Sequence, residues 1–187
     1  MKLQQLTQKT KAWIDFRKLH ICASDAPAIM GMSPYKKIDQ LRKEKLQSYE
    51  QATNVYMQRG LDLEPLALEM FEKETGLILF PAVGIHETID WMAASFDGVS
   101  IDRKDILEIK CPGKKDHNEA LEGRIPKHYK AQIQHQIEVS GLDFSYYYSF
   151  DGESGVTLEV KRDQEFIDIM LAKEFEFWQS IQNFAMN

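Results

Sequence analysis

The chain has 187 residues, 43% apolar and 11% aromatic, enough for one hydrophobic core, so a single domain over residues 1–187 is expected. Its 23 basic and 29 acidic residues leave a net charge of −6, which excludes a histone-like basic binder but not an enzyme with local basic clusters. No apolar run approaches the ~18–20 residues of a membrane span, and the start, MKLQQLTQKT, lacks an apolar signal core, so a cytoplasmic protein is expected. Two cysteines, Cys22 and Cys111, are too few for a disulfide framework or a four-cysteine zinc or iron–sulfur site.

In chain order, Thr10–His20 reads as a short helix with Trp13 and Arg17 one turn apart on one face. Ser24 reads as the cap of a second short helix, Asp25–Met30, which Gly31-Met32-Ser33-Pro34 ends. A third helix is expected over Lys36–Leu46. A longer one runs from about Thr53 to Glu74, with Leu63, Leu66, Ala67, Met70 and Phe71 at helical spacing and Gly76 as its stop. Gly60 and Pro65 should kink or split it. The middle turns to strands: Leu79–His86, Trp91–Ser95 and Ile106–Lys110. Helix returns over Lys127–Ser140. Phe144–Phe150 and Val156–Lys161 form a strand pair joined at Asp151-Gly152, and an amphipathic helix over Gln164–Asn183 closes the chain. The fold class is α/β or α+β, a small mixed sheet flanked by helices.

The most informative stretch is Ser95-Phe96-Asp97-Gly98 followed by Leu107-Glu108-Ile109-Lys110. On a strand, residues two apart share a face, so Glu108 and Lys110 point together while Leu107 and Ile109 enter the core. A hairpin from Phe96 to Ile109, with the chain turning back at Gly98, brings Asp97 beside Glu108. Two such carboxylates repel unless a cation lies between them, and oxygen donors suit Mg²⁺ or Mn²⁺. With Lys110 to hold a water or a phosphate oxygen, this is equipment for metal-assisted phosphodiester hydrolysis. A plain polar hairpin face with a Glu–Lys pair reads the same residues without chemistry. Company strengthens the first reading: Glu64 in Gly60-Leu61-Asp62-Leu63-Glu64-Pro65, and Tyr129 and Gln132 sharing a helical face. Gln134 and Gln136 interleave with Ile133 and Ile137, whose spacing marks the buried side, and this Tyr/Gln-rich helix reads equally well as solvated surface.

Five pieces in order, Trp13-x-x-x-Arg17, Ala23-Ser24, Gly60-x-x-x-Glu64-Pro65, Ser95-Phe96-Asp97-Gly98 with Glu108-Ile109-Lys110, and Tyr129-x-x-Gln132-x-Gln134, resemble the lambda-exonuclease family, the viral-recombinase type of alkaline exonuclease within the PD-(D/E)xK nuclease superfamily. The resemblance runs from about Trp13 to Gly141. It implies a restriction-endonuclease-like core and Mg²⁺-dependent digestion of double-stranded DNA from its 5′ ends, with a ring-shaped homotrimer and a single-strand annealing protein as partner. Carried over residue by residue, it implies Asp97, Glu108 and the Ile109 carbonyl as metal ligands, with Glu64 reaching the metal directly or through water. Lys110 becomes the catalytic lysine, Tyr129 and Gln132 active-site helix residues, and Arg17, Ser24 and neighbouring Trp13 the pocket for the DNA 5′ phosphate. One departure is Phe96, where the family usually has proline before the aspartate. A structure-specific or restriction-type endonuclease on the same core is the enzymatic rival, and a catalytically inactive DNA-binding module is the other.

The remaining residues read more plainly. His20, His86, His117, His128 and His135 lack ligand spacing and are structural or surface residues. Tyr146–Tyr148 is a half-buried strand rather than a base-stacking platform. Lys114 and Lys115 read as DNA-backbone contacts or as a solvated turn.

Overall fold

The computed structural model describes residues 1–47 and 55–185. Its elements are β1 (Lys2–Gln4), α1 (Lys11–Lys18), β2 (Ile21–Cys22), a 3-10 turn (Ala23–Asp25), α2 (Ala26–Ile29), α3 (Ile38–Leu46), α4 (Val55–Thr75), β3 (Leu79–Ile85), β4 (Met92–Ser100), β5 (Ile106–Lys110), α5 (Lys114–Leu121), α6 (Lys127–Ser140), β6 (Phe144–Phe150), β7 (Gly155–Lys161) and α7 (Gln164–Ala185). Six strands run in the order β1-β3-β4-β5-β6-β7, with β2 added to β4. The β5–β6 pair and the β2–β4 pair are parallel, and the others are antiparallel. A parallel neighbour demands a long crossover, and α5 and α6 supply it between β5 and β6.

The sheet is covered on both faces. On one, Ala67 and Phe71 of α4 meet Leu107, Ile109, Tyr148 and Phe150. On the other, Ile133 and Ile137 of α6 and Met170 of α7 meet Phe96, Ile106 and Tyr147. The alternation Leu107-Glu108-Ile109-Lys110 therefore separates two covered faces rather than core from solvent, as a sheet sandwiched by helices requires. Glu108 is only 2% exposed. For the same reason Tyr147 and Tyr148 are both fully buried, so the aromatic strand is not half-buried as its sequence suggests. Helix α6 is no solvated surface either: Gln134, His135 and Gln136 are all buried.

Other differences have local causes. The expected split of the long helix does not occur: α4 runs through Gly60 and Pro65, its second half seated by Ala67 and Phe71. The expected start at Thr53 lies outside the described residues. Ser24 caps no helix; it lies within the 3-10 turn, and the buried Asp25 side chain instead accepts the Cys22 N–H at 2.9 Å. The chain does not turn back at Gly98 but continues to Ser100. Gly98 is demanded by packing, since a Cβ there would meet the Leu79 Cδ1 at 2.9 Å. Lys114 and Lys115 open α5 instead of a turn, and β1 and β2, of three and two residues, are too short for periodicity to register.

Helix α7 buries Ile167, Met170, Phe177 and Ile181, and Glu174 stands in the middle of that stripe, fully buried. Its Oε1 lies 2.8 Å from His135 Nδ1, while His135 Nε2 bonds the Ala93 carbonyl oxygen at 2.9 Å. Burial alone lowers the His135 pKa, but the Glu174 carboxylate outweighs it and holds the value above normal. A raised folded pKa gives stability that is complete below the unfolded value, near 6.5, and lost as pH climbs through the folded one. Glu174→Ala is expected to cost about 3 kcal/mol at pH 6. It should also flatten the decline of stability above pH 6.5, as measured by urea denaturation at a series of pH values.

Candidate active site

The β3–β4 register shifts by one residue between Phe80↔Val99 and Ala82↔Phe96, so Asp97 and Gly98 together oppose Pro81. Proline offers no N–H to a ladder, and such a bulge re-aims the side chain it carries. On the other side, β4 and β5 pair at Val99↔Ile106 and Gly98↔Leu107 and then part. Asp97 and Glu108 would form the next pair, so they face each other where the strands separate. The Asp97 Oδ2 accepts the Ile109 N–H at 2.7 Å, and the Phe96 carbonyl oxygen accepts instead from Gln8 Nε2 at 2.8 Å. An extended residue directs its N–H and C=O to one strand edge, so the Ile109 carbonyl also faces this gap.

Glu108 is surrounded by donors. Gln132 Nε2 and Lys110 Nζ contact its Oε1, and Gln136 Nε2 donates to its Oε2. The Lys110 ammonium also lies 5.4 Å from the centre of the Tyr129 ring. Burial, then the charge of Glu108, pushes the Asp97 carboxyl well above the usual range, with Lys110 only partly offsetting them. Burial acts to lower the Lys110 pKa, but Glu108 and Asp97 prevail and raise it, so the side chain is an ammonium at neutral pH. The structure thus brings Asp97, Glu108, Ile109, Lys110, Tyr129 and Gln132 together. Glu64 lies close enough for its charge to raise the Asp97 pKa further, and its carboxylate accepts from Lys9 Nζ at 3.0 and 3.2 Å. Among the described residues, no three or more histidine, cysteine, aspartate or glutamate side chains form a ligand cluster. A hard cation fits what is present: two crowded carboxylates, one destabilised as an anion, beside a backbone carbonyl.

Arg17, Ser24 and Trp13 also meet. Arg17 Nη2 donates to Ser24 Oγ at 2.7 Å, and its guanidinium lies 4.5 Å from the centre of the Trp13 ring. Trp13 Nε1 donates to Ser95 Oγ at 2.8 Å, which joins this group to the strand carrying Asp97. Asp25 is turned inward to Lys45, at 2.5 Å, and its carboxylate also feels the Arg17 charge.

Residues 12–143 match the YqaJ-like viral recombinase domain. The chain belongs to that family. The resemblance read from the five motifs agrees with it. The Bacillus subtilis (strain 168) uncharacterized protein YqaJ is 29% identical over 175 residues, covering 89% of this chain and 54% of that protein, so the chain spans about half the length of this curated relative. The fold matches the alkaline exonuclease LHK-Exo of Laribacter hongkongensis with a TM-score of 0.80 and 26% identity, covering 93% of each chain. A phage-related exonuclease from Haemophilus somnus 129PT shares the fold with a TM-score of 0.67 and 20% identity, over 92% of this chain and 97% of that one.

Sequence reasoning about this YqaJ-like domain misses Gln8, Lys9 and the role of Gln136 at Glu108. Gln8 and Lys9 precede the motifs and give no periodic signal. Gln136 is two residues from motif glutamine Gln134, and both are buried, so only the partners each meets in the fold separate their tasks. Asp97, with its raised folded pKa, contributes stability that is full below the unfolded value and lost as pH rises through the folded one. Asp97→Asn is therefore expected to stabilise the metal-free protein at pH 8 by about 1 kcal/mol, read by urea denaturation in chelator.

Proposed function

We propose that this protein is a Mg²⁺-dependent exonuclease that degrades linear double-stranded DNA from its 5′ ends and leaves 3′ overhangs for recombination. The observation that carries this reading is the crowded Asp97–Glu108 pair with Lys110 at the gap between β4 and β5. Its structural relative LHK-Exo, an alkaline exonuclease also seen in complex with dAMP, supports the same chemistry. By the family resemblance, the working particle is a homotrimeric ring whose partner is a single-strand annealing protein.

In this reading Asp97, Glu108 and the Ile109 carbonyl hold a divalent cation, Mg²⁺ or Mn²⁺, with Glu64 at the margin. Such a cation lowers the pKa of a bound water and offsets charge on the scissile phosphate. Lys110, kept protonated by its carboxylate neighbours, serves as donor and positive charge at the reacting phosphate rather than as a base. Gln132 holds the Glu108 carboxylate from one side, and the Tyr129 ring flanks the lysine and limits where its ammonium can swing. Arg17 supplies charge-assisted donors for a terminal phosphate, with Ser24 beside it. A terminal phosphate carries more charge than an internal diester, so this pocket favours phosphorylated ends.

Purified protein with Mg²⁺ is expected to consume a linear duplex and leave a covalently closed circle intact; cutting of the circle would mean an endonuclease. Asp97→Ala and Glu108→Ala should abolish digestion, and Lys110→Ala should lose about 10²–10³ in rate while still binding duplex ends. Digestion of 5′-phosphorylated ends should outpace that of 5′-hydroxyl ends, and Arg17→Ala should erase most of that ratio. A variant that slows both substrates equally would reduce Arg17 to a brace between α1 and the turn carrying Ser24.

A further inference from the structure

With Glu108 as a cation ligand, the direction in which its carboxylate points becomes as important as its presence. Both hydrogens of the Gln136 amide are in use. Its Nε2 donates to Glu108 Oε2 on β5 and to the Ser95 carbonyl oxygen on β4, the latter at 3.1 Å. Those two strands have already parted at Gly98↔Leu107, so a side chain from α6 spans the gap that the ladder leaves open. The opposite atom, Gln136 Oε1, is buried and has no hydrogen-bond partner among the described residues. Turning the amide over would set Oε1 against two acceptors, so Glu108 and Ser95 fix its orientation although one acceptor is left unpaired.

Gln134, two residues earlier on the same helix, shows what a purely structural glutamine looks like here. Its Nε2 donates to the Lys161 carbonyl oxygen at 2.8 Å and its Oε1 accepts from the Asp163 N–H at 2.9 Å, so both ends are satisfied. The difference matters at Glu108. There Oε1 accepts from Gln132 and Lys110, while Oε2 accepts from Gln136 and keeps acceptor capacity for another partner. We propose that Gln136 is a positioning residue that turns the Glu108 carboxylate so that Oε2 is presented to the cation, a role that rests on the nuclease reading above. It touches neither the DNA nor the reacting atoms and acts only through Glu108. Partners of this kind typically change metal affinity by about tenfold or more.

Two measurements on the full chain test this, with Mg²⁺ alone as the probe. In the wild type, side-chain amide ¹⁵N signals are followed as Mg²⁺ is added. The Gln136 signal should move along the same binding curve as the Asp97 and Glu108 carboxyl signals, while Gln134 stays in place. In Gln136→Met, of similar volume but without donors, the Mg²⁺ concentration that gives half the thermal stabilisation should rise about tenfold, whatever the starting Tm. Gln136→His, which keeps a ring N–H, should recover part of that loss. A stationary Gln136 signal during Mg²⁺ binding, or an unchanged midpoint in Gln136→Met with only a lower Tm, overturns the positioning role and leaves the nuclease reading intact. A wild type that neither responds to Mg²⁺ nor digests DNA overturns both.

Discussion

Two carboxylates placed opposite each other, one of them buried and the other partly so, are the constraint around which this protein is built. Asp97 and Glu108 occupy the first positions beyond the last β4–β5 ladder pair, so the sheet opens where their charges meet. Closing the ladder would force the side chains together with nothing between them, and opening it would strand backbone groups. The structure meets both demands by replacing backbone partners with side chains. Asp97 takes the Ile109 N–H, Gln8 takes the Phe96 carbonyl and Gln136 takes the Ser95 carbonyl. The gap is thereby kept open without loss of order.

The helices follow from the same need. Buried polar groups at Glu108 require donors at fixed places, and α6 supplies two glutamines one turn apart, Gln132 and Gln136. A helix that turns amides toward the sheet has less apolar surface to bury there, and it compensates with Ala131, Ile133 and Ile137. Its far side is fixed by the buried pair of His135 and Glu174, so α7 anchors the helix that aims the glutamines. At the edge of the site, Lys45 donates to the carbonyls of Arg17 and His20 as well as pairing with Asp25, which ties the end of α1 to the turn that follows it.

Much of this was legible in the residues. Lys127–Ser140 and Phe144–Phe150 follow from periodicity and turn residues with the observed boundaries. The placement of Asp97 opposite Glu108, one step past the last ladder pair, follows from hairpin register, even though the turn falls at residues 101–105 rather than at Gly98. What the sequence hides is depth. A strand that alternates Leu-Glu-Ile-Lys looks half-solvated, and only the arrival of α6 from twenty residues downstream turns its polar face into an interior. Glu174 gives a local clue of that kind, a carboxylate at a core position of an otherwise apolar stripe. The pairing of Glu64 with Lys9, across 55 positions, leaves no pattern to read.

Gln8 shows where kinship and rigidity part company. Its single amide ties the carbonyls of Ala82 and Phe96, the two strands that flank the bulge, and it lies ahead of residues 12–143 that define the family. Strand β6, the parallel neighbour of Glu108 and Lys110, begins just after that span. The acidic residues thus lie inside the matched stretch, while Gln8 and the parallel strand that brace them lie outside it. A substitution at Gln8 or along β6 can therefore loosen the carboxylate pair, and lower the temperature at which the chain melts, without altering one matched residue.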